Sequence, residues 1–308
     1  MSWRSAVGSS CVALVLLATL WVPRDGNAQA TSPNVHHVMI SLPGPDGTTP
    51  QRVLLTWPRR GGPTGWSQRE SDFPVLIALH GAAEAELEPA RGTLAWNAEY
   101  RVDSAISALM SGSLSVSSFG GLVRDARLRV LNDQLRTRVY RGVVLATPYT
   151  PNLLSNAPGS AAIRTYSDWL AGPLLAAIRA NAPVLATRDA TGIDGVSLGG
   201  RLALEAGFLH PEAFGMVEAL QPALGGVVDA IARQAIQAAH TAPQNIRIVS
   251  SDGDAGLEQA RALSTALRAA HITHELAVVR GAHGYEFNRG PGAIEMMLHA
   301  DRALRGVL

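Results

Sequence analysis

The sequence predicts an α/β fold, with a mostly parallel central sheet, helices on both faces and an insertion after the third strand. Three observations predict it. Short runs such as FPVLIALHG, from Phe73 to Gly81, are apolar at nearly every position, which marks strands buried on both faces. Longer segments between them repeat apolar residues at helical spacing. The two kinds of segment alternate from Phe73 to the carboxyl end, and such alternation implies parallel strands joined by crossover helices.

The elements follow in order. NVHHVMISL and QRVLLTW read as two strands of a hairpin around the turn-rich PGPDGTTP. RRGGPTGWSQRES then reads as an exposed loop leading to the strand at Phe73. RGVVLATP, from Arg141 to Pro148, and ATGIDGV, from Ala190 to Val196, are the next two strands, with YSDWLAGPLLAAIRA as the helix between them. LALEAGFLH is a helix and FGMVEAL a strand; VVDAIARQAIQAA is a helix and NIRIVSS a strand. GLEQARALSTALRAA, HELAVVRG and GAIEMMLHADRAL complete the chain as helix, strand and helix. Only Ala83 to Tyr140 breaks the rhythm. That interval is long for a connection and contains a charged helical segment, LVRDARLRVLNDQLRTRV, so it is expected to reach over the carboxyl edge of the sheet as a partial cap.

Residues 1–30 read as a secretory signal peptide. Arg4 precedes an apolar run from Cys11 to Val22, and NAQA ends on the small residue Ala30. The run is shorter than the roughly twenty residues of a spanning helix, so no stable membrane anchor is expected. The expected product is one domain, residues 31–308, secreted or periplasmic after cleavage. Cys11 is the only cysteine of the chain, so the mature protein has no disulfide, thiol nucleophile or thiolate metal site.

Composition excludes further classes. The net charge is +1 with no basic run, so no nucleic-acid partner is expected. The chain has no lysine, which removes a Schiff-base lysine, a Ser-Lys dyad and a phosphate-loop lysine together. The sequence offers no H-E-x-x-H motif or carboxylate cluster for a metal, and His36-His37 alone is too weak a pair. Neither a metal nor another cofactor is expected.

The chemistry concentrates in DGVSLGGRLALE, from Asp194 to Glu205. Gly195-Val196-Ser197-Leu198-Gly199 fits G-x-S-x-G at the end of a strand and the start of a helix, where the pattern presents a serine on a sharp turn. A neutral hydroxyl needs a base to activate it, and with lysine and cysteine absent histidine is the choice. Of nine histidines, His36, His37, His210, His240, His271, His274 and His299 read as surface or capping residues. His80 reads as a structural residue of a loop. His283, in VVRGAHGYEF just past the last strand, is the candidate base.

An acid must then hold the imidazole tautomer and offset its charge. SSDGDAG offers Asp254 and, as the alternate acid, Asp252, one of which is expected to make a turn or cap the next helix. Glu218 and Asp229 are outside candidates. An oxyanion requires two backbone N–H donors. Leu198, first in its helix, is one; Ala82, in the loop LHGAAE, is the other, with Ala83 next.

Read together, ALHGAA, GIDGVSLGGRLALEAGFLHPEAFG, SSDGD and RGAHGYEF resemble the alpha/beta-hydrolase superfamily, and within it the putative-esterase branch of esterase D, ferulic acid esterases and enterochelin esterases. The resemblance spans Phe73 to Leu308. It implies the alpha/beta-hydrolase fold, the chain order Ser, Asp, His occupied here by Ser197, Asp254 and His283, and hydrolysis of carboxylic esters through an acyl-enzyme. A small-molecule or polymer-linked ester is the expected partner. The doubled aspartate and the segment Ala83 to Tyr140 depart from the family's pattern.

Overall fold

A computed structural model describes residues 34–59 and 73–307. The expected signal peptide, and all but the first residue of the loop RRGGPTGWSQRES, lie outside the described residues. The strands are β1 (Val35–Pro43), β2 (Pro50–Pro58), β3 (Val75–Leu79), β4 (Val144–Pro148), β5 (Thr191–Gly195), β6 (Met216–Leu220), β7 (Asn245–Gly253) and β8 (Glu275–Ala282). They form one sheet in the order β1-β2-β4-β3-β5-β6-β7-β8. β1, β2 and β4 pair antiparallel, and every pairing from β4 across to β8 is parallel.

Burial explains the apolar runs. Successive strand residues point to opposite faces, and in β3 both faces are covered. Val75, Ile77 and Leu79 join the core beneath the helices Ala161–Trp169, Leu198–Leu209, Val228–Thr241 and Leu257–Ala269. Leu76 and Ala78 join the opposite core, with the closing helix Ala293–Ala303. The first hairpin is closed by Asp46, whose Oδ1 accepts the N–H groups of Thr48 and Thr49 at 2.9 and 2.8 Å.

Two segments differ from the sequence reading. The single helix expected over 166–180 begins at Ala161 and runs through a π-helical stretch, Leu170–Leu174, before resuming as Leu175–Asn181. Pro173 sits inside that stretch; it has no N–H to give to the helical ladder, and the wider turn absorbs the break. Between β3 and β4 lies the expected helix, as Asp125–Thr137, together with Val102–Met110 and three single turns, Ala82–Ala85, Pro89–Gly92 and Ala95–Ala98. Trp96, Val102, Ile106 and Leu109 are buried in the same core as Leu76 and Ala78, so this part of the interval covers a face of the sheet.

Among the described residues, no helix is long and apolar enough to cross a membrane.

Candidate active site

Ser197 stands between β5 and the helix Leu198–Leu209 at φ 56° and ψ −113°, a conformation that a residue with a Cβ rarely adopts. Its neighbours hold it there. The Ser197 N–H donates to Leu220 O at 2.9 Å, and its carbonyl accepts the N–H groups of Arg201 and Ala223 at 3.1 and 3.0 Å. The flanking glycines are required by contact: a Cβ on Gly199 would lie 2.3 Å from the Leu79 carbonyl oxygen, and one on Gly195 would lie 2.4 Å from the Gly199 backbone. The helix therefore enters directly against the end of β3, bringing the turn after β3 to the serine.

His283 follows β8 and lies between the other two predicted residues. Its Nε2 is 3.1 Å from Ser197 Oγ, and its Nδ1 is 3.0 Å from Asp254 Oδ1. Asp254 is buried, and its carboxylate is fully occupied. Ser250 Oγ donates to Oδ2 at 2.7 Å, while Oδ1 also accepts the Gly256 N–H at 2.8 Å. Burial works against the charge on Asp254, but the hydrogen bonds from His283, Gly256 and Ser250 outweigh it and hold the carboxyl below its ordinary range. An acceptor at Nδ1 leaves Nε2 free to take a proton from the serine.

Asp252 is elsewhere. Its Oδ2 pairs with Arg124 at 2.6 Å and its Oδ1 accepts the Gly281 N–H at 3.1 Å, so it ties β7 to β8 and to the residue before the helix Asp125–Thr137. The parallel register shifts between Ser251 and Gly253. Gly253 also passes so close to β8 that a Cβ there would be 2.8 Å from Gly281 O. Glu218 is buried in β6 with its Oε1 bonded to Arg247 at 2.8 Å, and Asp229 lies in the first turn of the helix Val228–Thr241.

The oxyanion candidates both begin helices. Leu198 is the first residue after Ser197, and Ala82 is the first residue of the turn Ala82–Ala85, so neither N–H has an acceptor within its own helix. Gly81 cannot serve in place of Ala82, because its N–H donates to the Tyr100 hydroxyl at 3.0 Å. His80 is buried with both ring nitrogens engaged. Nε2 accepts the Thr150 N–H at 2.9 Å, which places the ring proton on Nδ1, and Nδ1 donates to Gly81 O at 3.0 Å. His299, read as a surface or capping residue, is instead buried in the closing helix, with Nε2 at 3.2 Å from Asn245 Oδ1. Every residue of that helix from Ala293 to Arg302 is buried, polar ones included, so His299 has no exposed face to occupy. Among the described residues, no group of three or more His, Cys, Asp or Glu side chains is placed to hold a metal ion.

Comparison with known proteins separates fold from sequence. No family model matches the chain, and no curated protein sequence matches it. Solved structures do. A ferulic acid esterase superposes with a TM-score of 0.60 at 15% identity, covering 88% of this chain and 99% of its own. A ferulic acid esterase from Anaeromyces mucronatus gives 0.53 at 16%, covering 89% and 94%, and a hydrolase of enterobactin and salmochelin gives 0.53 at 17%, covering 88% and 96%. The chain has the alpha/beta-hydrolase fold.

Within that alpha/beta-hydrolase fold, several residues around Ser197 carried no signal in the sequence. Ser250 braces Asp254. Gln221, at φ 43°, donates from Nε2 to Ser251 Oγ at 2.7 Å and to Ala282 O at 3.1 Å, joining the ends of β6, β7 and β8. Glu84, Tyr100 and Tyr285 meet beside the turn after β3 although they come from widely separated segments. Only a non-glycine residue at positive φ, as at Gln221, marks such a place, and sequence does not report φ.

Proposed function

We propose that the protein is a serine hydrolase that cleaves carboxylic esters through an acyl-enzyme on Ser197, His283 and Asp254. The observation that carries the reading is the continuous line of hydrogen bonds from Ser197 Oγ through both nitrogens of His283 to a buried Asp254 carboxylate. Such an array moves a proton off a hydroxyl at neutral pH.

Ser197 Oγ attacks the carbonyl carbon of the ester while its proton passes to His283 Nε2. Asp254 offsets the charge this creates on the ring. The carbonyl oxygen, now an alkoxide, takes hydrogen bonds from the Leu198 and Ala82 N–H groups. Collapse of the tetrahedral intermediate breaks the bond to the alcohol oxygen, which takes the proton from Nε2 and leaves as the free alcohol. Water then adds to the acyl-enzyme with His283 as base, releasing the acid and restoring the serine. No metal or cofactor enters either half of the reaction.

The solved structures of like fold are named for ferulate, enterobactin and salmochelin esters, and an ester of that kind, free or polymer-linked, is the substrate class proposed here. The protein is exported, its mature form beginning near Thr31, as the pattern of residues 1–30 implies. Mass spectrometry of the exported protein reads that terminus directly.

The test is labelling with a serine-directed fluorophosphonate beside a panel of nitrophenyl esters of increasing acyl length and a feruloyl ester. The parent is labelled and hydrolyses at least one ester, and Ser197→Ala does neither. Full hydrolysis by Ser197→Ala would end the reading.

A further inference from the structure

Glu84 is a carboxylate that is only 2% exposed and bonded to no cation among the described residues. Both its oxygens accept phenols. Tyr100 donates to Oε2 at 2.5 Å and Tyr285 donates to Oε1 at 2.7 Å. Each phenol leads to a different part of the candidate site.

On one side, the Tyr100 oxygen also accepts the Gly81 N–H at 3.0 Å, and the carbonyl of Gly81 is held by His80 Nδ1 at 3.0 Å. A trans peptide points its C=O and N–H in opposite directions, so fixing the carbonyl of Gly81 fixes the aim of the Ala82 N–H. On the other side, Tyr285 stands two residues beyond His283. Its ring lies 5.3 Å beneath the guanidinium of Arg289, which donates to Glu99 O at 2.7 Å. The sheet does not make this connection, because β5, β6 and β7 all stand between β3 and β8.

We propose that Glu84 is a positioning residue that clamps the oxyanion turn at Ala82 to the loop carrying His283, fixing the donor and the base on either side of Ser197. The proposal rests on the serine-hydrolase reading above. A carboxylate suits the task because it accepts from both phenols at once, whereas an amide has one acceptor and one donor. The oxyanion bond and the proton transfer are both formed fully only in the transition state, so the clamp acts on kcat and not on KM. The hydrogen bond to Glu84 is the largest cause, ahead of the phenol's own burial and the charge on Glu84, of a pKa at Tyr285 pushed up to about 12.

Glu84→Ala leaves a buried hole and two unpaired phenols, so the test uses Tyr285→Phe, which removes one oxygen from a partly exposed ring, and Glu84→Gln. For each, kcat and KM on nitrophenyl acetate are measured per fluorophosphonate-titratable serine, so that misfolded protein is not counted. In Tyr285→Phe, kcat and the labelling rate both fall about tenfold with KM within about twofold, since small displacements of reacting groups cost factors of this order. Glu84→Gln falls in the same way, and the double variant is no slower than the slower single one, because all act through one carboxylate. A kcat per labelled serine equal to the parent's in both variants, or a change confined to KM, overturns the clamp and leaves the hydrolase reading standing. A parent that is neither labelled nor active overturns both.

Discussion

Asp254 Oδ1 lies 3.0 Å from His283 Nδ1, and the same oxygen accepts the Gly256 N–H at 2.8 Å. One carboxylate thus does two things that the sequence leaves divided between two aspartates: it closes the turn into the helix Leu257–Ala269 and it faces the imidazole.

That shared oxygen decides how an amide would sit. In Asp254→Asn the carbonyl must stay toward Gly256 and His283, leaving the NH2 group to face Ser250, whose hydroxyl can rotate to accept it. The tautomer of His283 is then preserved and only the charge is lost. An ion pair at about 4 Å is worth about 4 kcal/mol at an effective dielectric near 20, so kcat is expected to fall roughly a thousandfold. Asp252→Asn disturbs an exposed pair with Arg124 and should leave kcat near the parent's. Steady-state rates on one nitrophenyl ester check both, and equal losses in the two variants would contradict the assignment.

Contact distances at two glycines predict opposite effects of the same added methyl. Gly199→Ala sets a Cβ 2.3 Å from the backbone oxygen of Leu79, an atom held in the sheet, so the helix must move away from β3. Gly172→Ala meets nothing within 4 Å and replaces a poor helix former with the best one. The first variant is expected to lose several kcal/mol and its fluorophosphonate labelling, and the second to match or slightly exceed the parent in urea melts. A stable, fully labelled Gly199→Ala protein would show that β3 and the helix are less tightly joined than these distances require.

Ser197 is held at positive φ by its neighbours, and that strain should be measurable once the hydroxyl is dispensed with. Glycine adopts positive φ freely and alanine does not. Ser197→Gly should therefore melt at a higher temperature than Ser197→Ala, by a few degrees for about 1 kcal/mol of relieved strain in a domain of this size. Both are inactive. Equal melting temperatures would place no strain at the turn.

The fold was legible because its rules are local. Buried strands such as β3 and β4 announce themselves as apolar runs and the first two strands by the turn between them, and G-V-S-L-G marks the turn where a strand, a serine and a helix must crowd together. His283 was legible for the same reason, standing just past a strand end. What distinguishes Asp254 from Asp252 is a shift of pairing register between Ser251 and Gly253, which leaves no trace in residue types. Glu84 and Tyr285 are separated by 201 positions, so no spacing rule joins them. Glu218 reads in sequence as an outside candidate for the acid because a carboxylate in an apolar strand has no partner visible there; its partner, Arg247, comes from the neighbouring strand β7.

The same carboxylate gives the last prediction. Asp194 and Glu218 are both fully buried, and among the described residues Asp194 Oδ2 and Glu218 Oε2 have no hydrogen-bond partner. The two side chains stand on adjacent strands, each one residue beyond the paired Ile193 and Val217, and two buried carboxylates without a donor repel, so they are expected to hold a proton in common in the folded state. Burial is the main cause that raises both, to about 7 for Asp194, against the opposing pull of the Gly195 N–H and Arg247. The sign follows from proton counting. Between an unfolded carboxyl near pH 4 and folded Asp194 at about 7, the native state holds a proton on Asp194 that the unfolded state has released, so the contribution of this group makes stability fall as pH rises, by about 1.4 kcal/mol per pH unit at most. Asp194→Asn replaces the shared proton with a permanent N–H aimed at Glu218 and removes the linkage, while Arg247 still pairs with the remaining carboxylate. Relative to the parent, the variant should therefore gain stability steadily across that window and level off above it. Urea unfolding of both proteins at a series of pH values measures the difference; a difference that stays flat with pH would mean that Asp194 and Glu218 hold no common proton.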